Sequence, residues 1–533
     1  MDLQAARRIQ FWVLVAISAF ILWGAPDHWR LTPDGGIYLG TAENMVAHGT
    51  YTFNGHPNLL YYPGTSSIIA VLVAPFGANA MVVHLAFAAI VVAILWLCRA
   101  YFSEQRYGWV GIVLPVAVAC ASVVRYQAVH VLSDGPFLAL SLVALLCWRQ
   151  WEEAADRRYL WACVAAVAML PLVRFHGLFA IAALGLGLLV DWWRRWRMDG
   201  RAFLRMVAIG LVVVAPFALW TWRNYVLYTP DTHNMALQYF FGLKSLLLDA
   251  RRYAAADWID ARWKYAVYAN LYQLMDLTNT LFGPEINRVL PKFVLPVVFP
   301  LVCLAGAWRY LKRASAMEIA YVAISVGFIL YLKLKANSLY TVERHWLLTL
   351  PFIIAAAGLG MAFLHDLAGR VRAQGVVRAV AVAGCVLIAS HGVSGWLPEV
   401  SRAANARDVE TSRLYRNLAD YVDTSLPVDS RLLTSDWGII PRFIHRTSFP
   451  PLRGDAFRQT FQRIDKYGLS YAVWTNVSSG LVAPSMLRMT ELFPHLFTLV
   501  HEVATVPDGP EARIFAIDLA GVRRTLKERT DQF

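Results

Sequence analysis

Apolar residues in this chain come in long runs broken only by short polar hinges, and a soluble core cannot bury so many such runs one after another. They lie near 9–25, 79–98, 108–125, 135–149, 160–173, 177–193, 203–222, 292–311, 317–335, 347–365 and 378–397. A hydrocarbon core of ~30 Å takes ~20 apolar residues per helix, so the pattern predicts a polytopic α-helical membrane protein with about eleven transmembrane helices. Composition agrees: 58% hydrophobic residues against 16% charged, with a mean hydropathy of +0.46, lie far from a soluble domain. The first run follows Arg7-Arg8 and has no small-residue cleavage site after it, which reads as an uncleaved signal anchor.

Lys and Arg beside a span resist translocation and therefore mark the cytoplasmic side. One set of alternate short loops carries Arg7, Arg8, Arg99, Arg106, Arg149, Arg157, Arg158, Arg194, Arg195, Arg197, Arg201, Arg309, Lys312, Arg313, Arg370 and Arg372, whereas the opposite set carries only Arg30, Arg125, Arg174, Lys333, Lys335 and Arg344. The N-terminus is thus expected in the cytoplasm. The loops 26–78 and 223–291 and everything after Trp396 are expected on the outer face of a bacterial inner (plasma) membrane. Much of the net charge of +13 is then topological and gives no argument for nucleic acid as a partner. The six Cys fall in apolar runs without CxxC or CxxH spacing, so neither a disulfide framework nor a zinc site is expected.

From 399 to 533 the pattern changes. Amphipathic helical stretches (414–422, 456–467, 484–492) alternate with short strand-like runs (431–434, 469–474, 496–503, 513–517), each bounded by Pro, Gly, Asp or Asn. Residues 1–398 are expected to form the transmembrane domain, and 399–533 an extracytoplasmic α/β domain able to bury its own core. The 223–291 loop is too long for a plain connection. Its segments 257–265 and 268–281 mix Trp, Tyr and Leu with Arg and Lys, as interfacial helices do. Packing over the spans and gating a substrate are both open for it.

The outer-face chemistry starts at Pro33-Asp34-Gly35-Gly36. Asp34 can cap a helix running from Gly36 to Ala47, which His48-Gly49 would end, and can equally serve as a catalytic carboxylate. Gly35 and Gly36 remove side-chain bulk beside it, leaving room for a substrate to approach. Tyr38 and Glu43 fall on the same helix, and Tyr61 and Tyr62 follow; aromatic faces with a carboxylate suit a sugar, although Tyr61 and Tyr62 read equally as membrane-interface anchors.

A second group holds Arg125, His130, Ser133 and Asp134. Ser133 or Asp134 can cap the fourth span. On a helix His130 and Asp134 share a face, and with Asp34 they could hold a divalent cation, although hard cations usually recruit more oxygen ligands. No other cofactor is required. The third group is Arg174 with His176 at one outer hinge, and Lys333, Lys335, Tyr340, Glu343, Arg344 and His345 at another. Ionisable groups at membrane depth are costly and tend to be functional, while Lys333 and Lys335 can simply snorkel to headgroups. Arg344-His345 suits a phosphate, which a guanidinium binds bidentately.

With these residues in place the chain resembles the GT-C integral-membrane glycosyltransferases. The resemblance rests on Asp34-x-x-x-Tyr38 after the first span, Gly49-x-Tyr51, Tyr62-Pro63-Gly64, Ser133-Asp134-x-Pro136, and Glu343-Arg344-His345 leading to Leu350-Pro351-Phe352. It covers the membrane portion and is similar to the subgroup with dolichyl-phosphate-mannose-type and aminoarabinose transferases. It implies an inverting transfer on the outer face from a polyprenyl-phosphate-linked sugar donor to an envelope glycan, lipid or protein acceptor. Asp34 is the implied base; the residues' own chemistry adds Asp134 as an expected further catalytic carboxylate and Arg344, His345, Lys335, Arg174 and His176 as the expected donor-phosphate site. Tyr38, Glu43, Tyr61, Tyr62 and His130 are, by their own chemistry, the expected substrate contacts. Many relatives carry Asp-Glu where this chain has Asp34-Gly35, which sets it apart from protein O-mannosylation.

Physical logic converges on a lipid donor, because nucleotide sugars are cytoplasmic and too polar to cross a bilayer unaided. Two other classes are compatible with the spans: a transporter, which usually shows internal repeats that are not evident here, and a non-catalytic envelope scaffold.

Overall fold

A computed structural model of the chain describes residues 3–59, 61–194, 199–227, 274–275, 277–283, 294–335, 343–370, 373–400, 402–436, 438–444, 446–449, 457–477, 482–504 and 509–528. Most of the 223–291 loop, including the expected interfacial helix around Trp258, lies outside the described residues, as does Tyr340. The same holds for the side chains of Lys333, Lys335 and Glu343. The chain divides into two compact units, one of residues 1–25, 59–65 and 85–399, the other of 26–58, 66–84 and 400–533.

In the first unit a helix occupies the place of every apolar run expected there, from Leu3–Trp23 to Gln374–Glu399. Among the described residues six helices are long and apolar enough to cross a membrane: Leu3–Trp23, Ala80–Tyr101, Gly177–Arg194, Gly200–Val226, Leu350–Gly369 and Gln374–Glu399. A seventh candidate is the pair Trp109–Cys120 and Ser122–Val129, bent by 57°.

That bend has a local account. Ala121 is extended (φ −66°, ψ 135°), which stops the ladder and orphans the last carbonyls of the preceding helix. Trp396 Nε1 donates to the Ala119 carbonyl at 3.2 Å, and an Arg125 guanidinium N–H donates to that of Cys120. Arg125, read from sequence as an outer-loop cation, is instead a buried helix residue that satisfies the break, with His391 Nε2 at 3.2 Å from its other arm.

Side chains too polar for an apolar bundle are paired inside it. Gln10 donates to the carbonyls of Gly111 (3.1 Å) and Ile112 (2.7 Å). Glu318, fully buried, accepts from Tyr310 at 2.5 Å and from Arg149 at 3.3 Å, and the Arg149 guanidinium lies 3.6 Å from the Tyr101 ring centroid. A charge buried this way survives only with its partner and its hydrogen bonds. Where helices Val294–Leu311 and Leu350–Gly369 cross, Gly306 and Gly360 let the backbones touch: a Cβ on either would overlap a carbonyl of the other helix.

The second unit holds an antiparallel pair, β1 (Thr52–Phe53) and β2 (His56–Pro57), and a five-stranded sheet in the order β4-β3-β5-β7-β6, from β3 (Leu432–Thr434), β4 (Ser448–Phe449), β5 (Tyr471–Thr475), β6 (Phe497–Ala504) and β7 (Glu511–Ile517). β4, β3 and β5 run parallel, and β7 is antiparallel to both β5 and β6. Side chains alternate faces along a strand, and the apolar sets follow. Leu433, Ala472, Trp474 and Phe515 pack with Phe461, Met486 and Val522 on one face. Leu432, Val473 and Ile514 pack with Leu414, Leu418 and Ile440 on the other. The sheet is therefore covered on both sides by helices, and Leu31, from the loop after the first span, packs against the second set. The stretch 26–58, expected as an outer loop of the transmembrane domain, clusters with residues 400–533.

Candidate functional site

Asp34 sits in the second unit on the helix Pro33–His48. Its expected capping role is corrected: the cap is Thr32, extended at φ −93° and ψ 163°, whose Oγ1 accepts from Gly35 N at 3.0 Å, and Pro33 opens the helix. Proline at that position gives up an N–H that has no partner anyway, and its fixed φ is already helical. Asp34 is half-buried in the first turn. At the other end Gly49 takes φ 65°, the left-handed conformation that closes helices and favours glycine. Replacing Thr32 with alanine removes a cap worth about 1 kcal/mol, so amide exchange of residues 36–41 is expected to accelerate about fivefold. Unchanged exchange would show that the hydroxyl holds nothing.

Gly36, two residues after Asp34, is used differently from the expectation. A Cβ on Gly36 would overlap the carbonyl oxygen of Gly438, so the absent side chain serves a backbone crossing within this unit and not an approaching substrate. Tyr38 is buried, 5% exposed. Glu43 accepts from Arg442 at 3.0 Å, and that guanidinium lies 4.7 Å from both the Trp29 and Phe443 ring centroids. Asn54 exchanges hydrogen bonds with the backbone of Ser448, donating to O at 2.5 Å and accepting from N at 3.1 Å.

Three further ion pairs lie just upstream of the helix. Arg30 pairs with Asp408, and His28 Nε2 lies 3.6 Å from the same carboxylate, with its Nδ1 2.8 Å from Asp27. The Asp408 carboxylate raises His28 above its ordinary 6.5. Asp408 itself is burdened by burial, but its bonds to His28 and Arg30 outweigh that and hold it below 3.8. The His28 contribution to stability is therefore complete below pH 6.5 and lost as pH rises through its raised folded value. The Asp408 contribution is complete above pH 3.8 and lost as pH falls through its lowered one. Replacing His28 with glutamine is expected to flatten the alkaline decline of the unfolding midpoint above pH 6.5; a decline identical to wild type would show that His28 does not titrate against Asp408.

The other expected site residues lie in the first unit. Asp134 is fully buried in the first turn of the helix Asp134–Ala154. Its Oδ1 is 2.7 Å from an Arg174 guanidinium nitrogen, which also donates to Ser133 Oγ at 3.0 Å, so Ser133 holds the cap position without a capping bond. Arg174 Nε donates to His176 Nδ1 at 3.2 Å. With Nδ1 accepting, a neutral His176 carries its proton on Nε2. The His176 and His345 ring centroids are 5.5 Å apart. Burial first and Arg174 second push both imidazoles well below 6.5, with Arg344 adding to each. His176 Nε2 and His345 Nδ1 are sealed from solvent without a hydrogen-bond partner among the described residues.

Asp134 and Arg174 are thus committed to each other. The expectation that His130 shares a helical face with Asp134 is corrected: helix Ser122–Val129 ends at His130, which is extended (φ −123°, ψ 149°), stacks on Tyr126 at 4.0 Å and bonds its carbonyl at 2.9 Å. Among the described residues no group of three His, Cys, Asp or Glu could hold a metal ion. Tyr61 and Tyr62 are half-buried, with the Tyr62 ring 6.4 Å from Phe217. Arg344 is half-buried on the short helix Glu343–Trp346.

Arg442, Asp408 and Asp436 were missed in the sequence. No local spacing announces them, since their partners lie hundreds of residues away or depend on the sheet.

No protein-family model matches the sequence, and neither does any curated protein. Solved structures do. The crystal structure of ArnT from Cupriavidus metallidurans in the apo state superposes with TM-score 0.56 at 16% identity, over 95% of this chain and 98% of that one. The same protein bound to undecaprenyl phosphate gives 0.55 at 14%, over 94% and 97%. The apo Archaeoglobus fulgidus oligosaccharyltransferase gives 0.52 at 13%, over 95% of this chain and 74% of that one. The chain therefore has the fold of the GT-C superfamily of membrane glycosyltransferases.

Proposed function

We propose that the protein is an inverting glycosyltransferase of the outer membrane face, moving a sugar from a polyprenyl-phosphate donor to an acceptor hydroxyl. The observation that carries this is a half-buried carboxylate, Asp34, in the first turn of a helix whose cap is supplied by Thr32, within a chain of GT-C fold. Likeness to ArnT solved with undecaprenyl phosphate supports the choice of donor class. Eleven spans, a cytoplasmic N-terminus and an extracytoplasmic C-terminal part are the topology that goes with it.

In this reading the acceptor oxygen attacks the anomeric carbon from the face opposite the phosphate. The acceptor O–H bond breaks, Asp34 takes the proton, and the bond from the anomeric carbon to the phosphate oxygen breaks with inversion. The departing polyprenyl phosphate carries the negative charge away. His176 Nε2 and His345 suit its oxygens: a buried N–H without an acceptor costs about 1–3 kcal/mol, and a phosphate oxygen would relieve it. Arg344 and Lys335 belong to the same group of residues, beside an Arg174 that is held by Asp134. Asp134 then acts by holding Arg174, which fixes the His176 tautomer.

The test is transfer by the purified full-length protein from radiolabelled undecaprenyl-phosphate sugars to envelope extracts, comparing wild type with Asp34→Asn. Substrate uptake by sealed vesicles with no transfer product would reject the reading.

A further inference from the structure

Three contacts converge on the Asp34 helix from the C-terminal part of its own unit. The first is the crossing of Pro33 and Gly36 with Gly438, so close that a Cβ on either Gly36 or Gly438 would overlap backbone of the other segment. The second fixes the turn that delivers Gly438. Asp436, 2% exposed, accepts from Tyr415 Oη at 2.7 Å and from Ile439 N at 3.2 Å, and its own N–H donates to Thr434 Oγ1 at 3.3 Å. Tyr415 is 2% exposed, so this turn is tied into the apolar set under the sheet. The third is Arg442, on the short helix Ile440–Phe443 that follows. It reaches Glu43, about two turns beyond Gly36 on the Asp34 helix, and lies against Trp29 just upstream of that helix.

A helix held near its first turn by a backbone crossing, and further on by an ion pair, has little freedom to slide or roll. Asp34 lies between Pro33 and Gly36, in the crossing itself. We propose that Gly36, Glu43, Asp436, Gly438 and Arg442 are positioning residues for the Asp34 carboxylate, so that the C-terminal α/β part is a working half of the transferase and not an appended binding module. This rests on the reading of Asp34 as base. A base displaced by about 1 Å can cost ~10²-fold in rate, so the crossing is a device with catalytic consequence.

Gly36→Ala makes the sharpest test. Alanine is the better helix former, so the helix itself is strengthened and only the crossing is disturbed. Gly36→Ala and Arg442→Ala are compared with wild type and Arg442→Lys for transfer from radiolabelled undecaprenyl-phosphate sugars, with direct binding of undecaprenyl phosphate measured in parallel. The expected result is a fall in kcat of about 10- to 100-fold in both, with donor KM and undecaprenyl-phosphate binding within about twofold of wild type and partial recovery in Arg442→Lys. The acid limb of the pH–rate profile should keep its midpoint while the plateau drops, because geometry is altered and not the base itself.

Wild-type kcat in Gly36→Ala and Arg442→Ala would overturn the proposal, as would loss of undecaprenyl-phosphate binding in parallel with kcat, which would mark the contacts as general scaffolding. Asp34→Asn in the same assay separates the two claims: activity retained there sinks the base, whereas activity lost there but kept in Gly36→Ala and Arg442→Ala sinks only the positioning.

Discussion

Asparagine in place of Asp34 is expected to cut sugar transfer by about 10²- to 10⁴-fold, the range that a general base supplies. The substitution keeps the size and shape of the side chain and removes its ability to take a proton. Thr32 supplies the side chain at the N-cap, so that cap should survive the substitution, and a circular-dichroism spectrum matching wild type separates loss of the base from loss of the fold. That separation is what the structure adds to the sequence: with Asp34 as cap, a dead mutant would have had two explanations. Donor KM should stay within about twofold, since the residue acts on the acceptor proton and not on the leaving phosphate. Activity above a tenth of wild type, with the expected circular-dichroism spectrum, would reject Asp34 as base.

Hydrophobic run length located the helices of the first unit because a bilayer or an apolar bundle imposes one physical rule, that backbone polar groups pair within the segment. Period-two and amphipathic patterns likewise placed β5, β6, β7 and the helices Phe457–Tyr467 and Val482–Leu492 within a few residues. β4, two residues long, carries too little pattern to be read. The error over the cap was avoidable, since Thr32-Pro33 is itself a helix-start signal. The misplacement of His130 came from extending a helix through a segment whose backbone turns extended one residue after Val129.

Other relations are illegible in principle from one sequence. Gly36 looks like a vacancy until Gly438 is seen against it, and nothing local to Glu43 shows that Arg442 pairs with it. Charge and small size are local properties of a residue, but what they serve is decided by a partner some 400 positions away.

The second large effect belongs to the Arg174–Asp134 pair. Arg174→Ala strands a carboxylate that is 0% exposed, and breaking a buried pair in this way is expected to cost about 3–5 kcal/mol of stability. Removing both charges should behave differently. The double variant Asp134→Leu, Arg174→Met leaves no uncompensated ion, and replacing a buried pair by apolar groups of similar volume is often neutral or stabilising, so most of the lost stability should return. Transfer should not return with it. In the double variant His176 Nδ1 has lost the N–H that Arg174 Nε donates, the proton is free to sit on either ring nitrogen, and the donor offered toward a phosphate at Nε2 is no longer fixed. Unfolding midpoints of the single and double variants, set beside their rates of sugar transfer and affinities for undecaprenyl phosphate, measure the two roles separately. Full stability in Arg174→Ala would mean that Asp134 does not depend on the pair. Restored stability accompanied by restored transfer would mean that the pair holds the fold and contributes nothing to the orientation of His176.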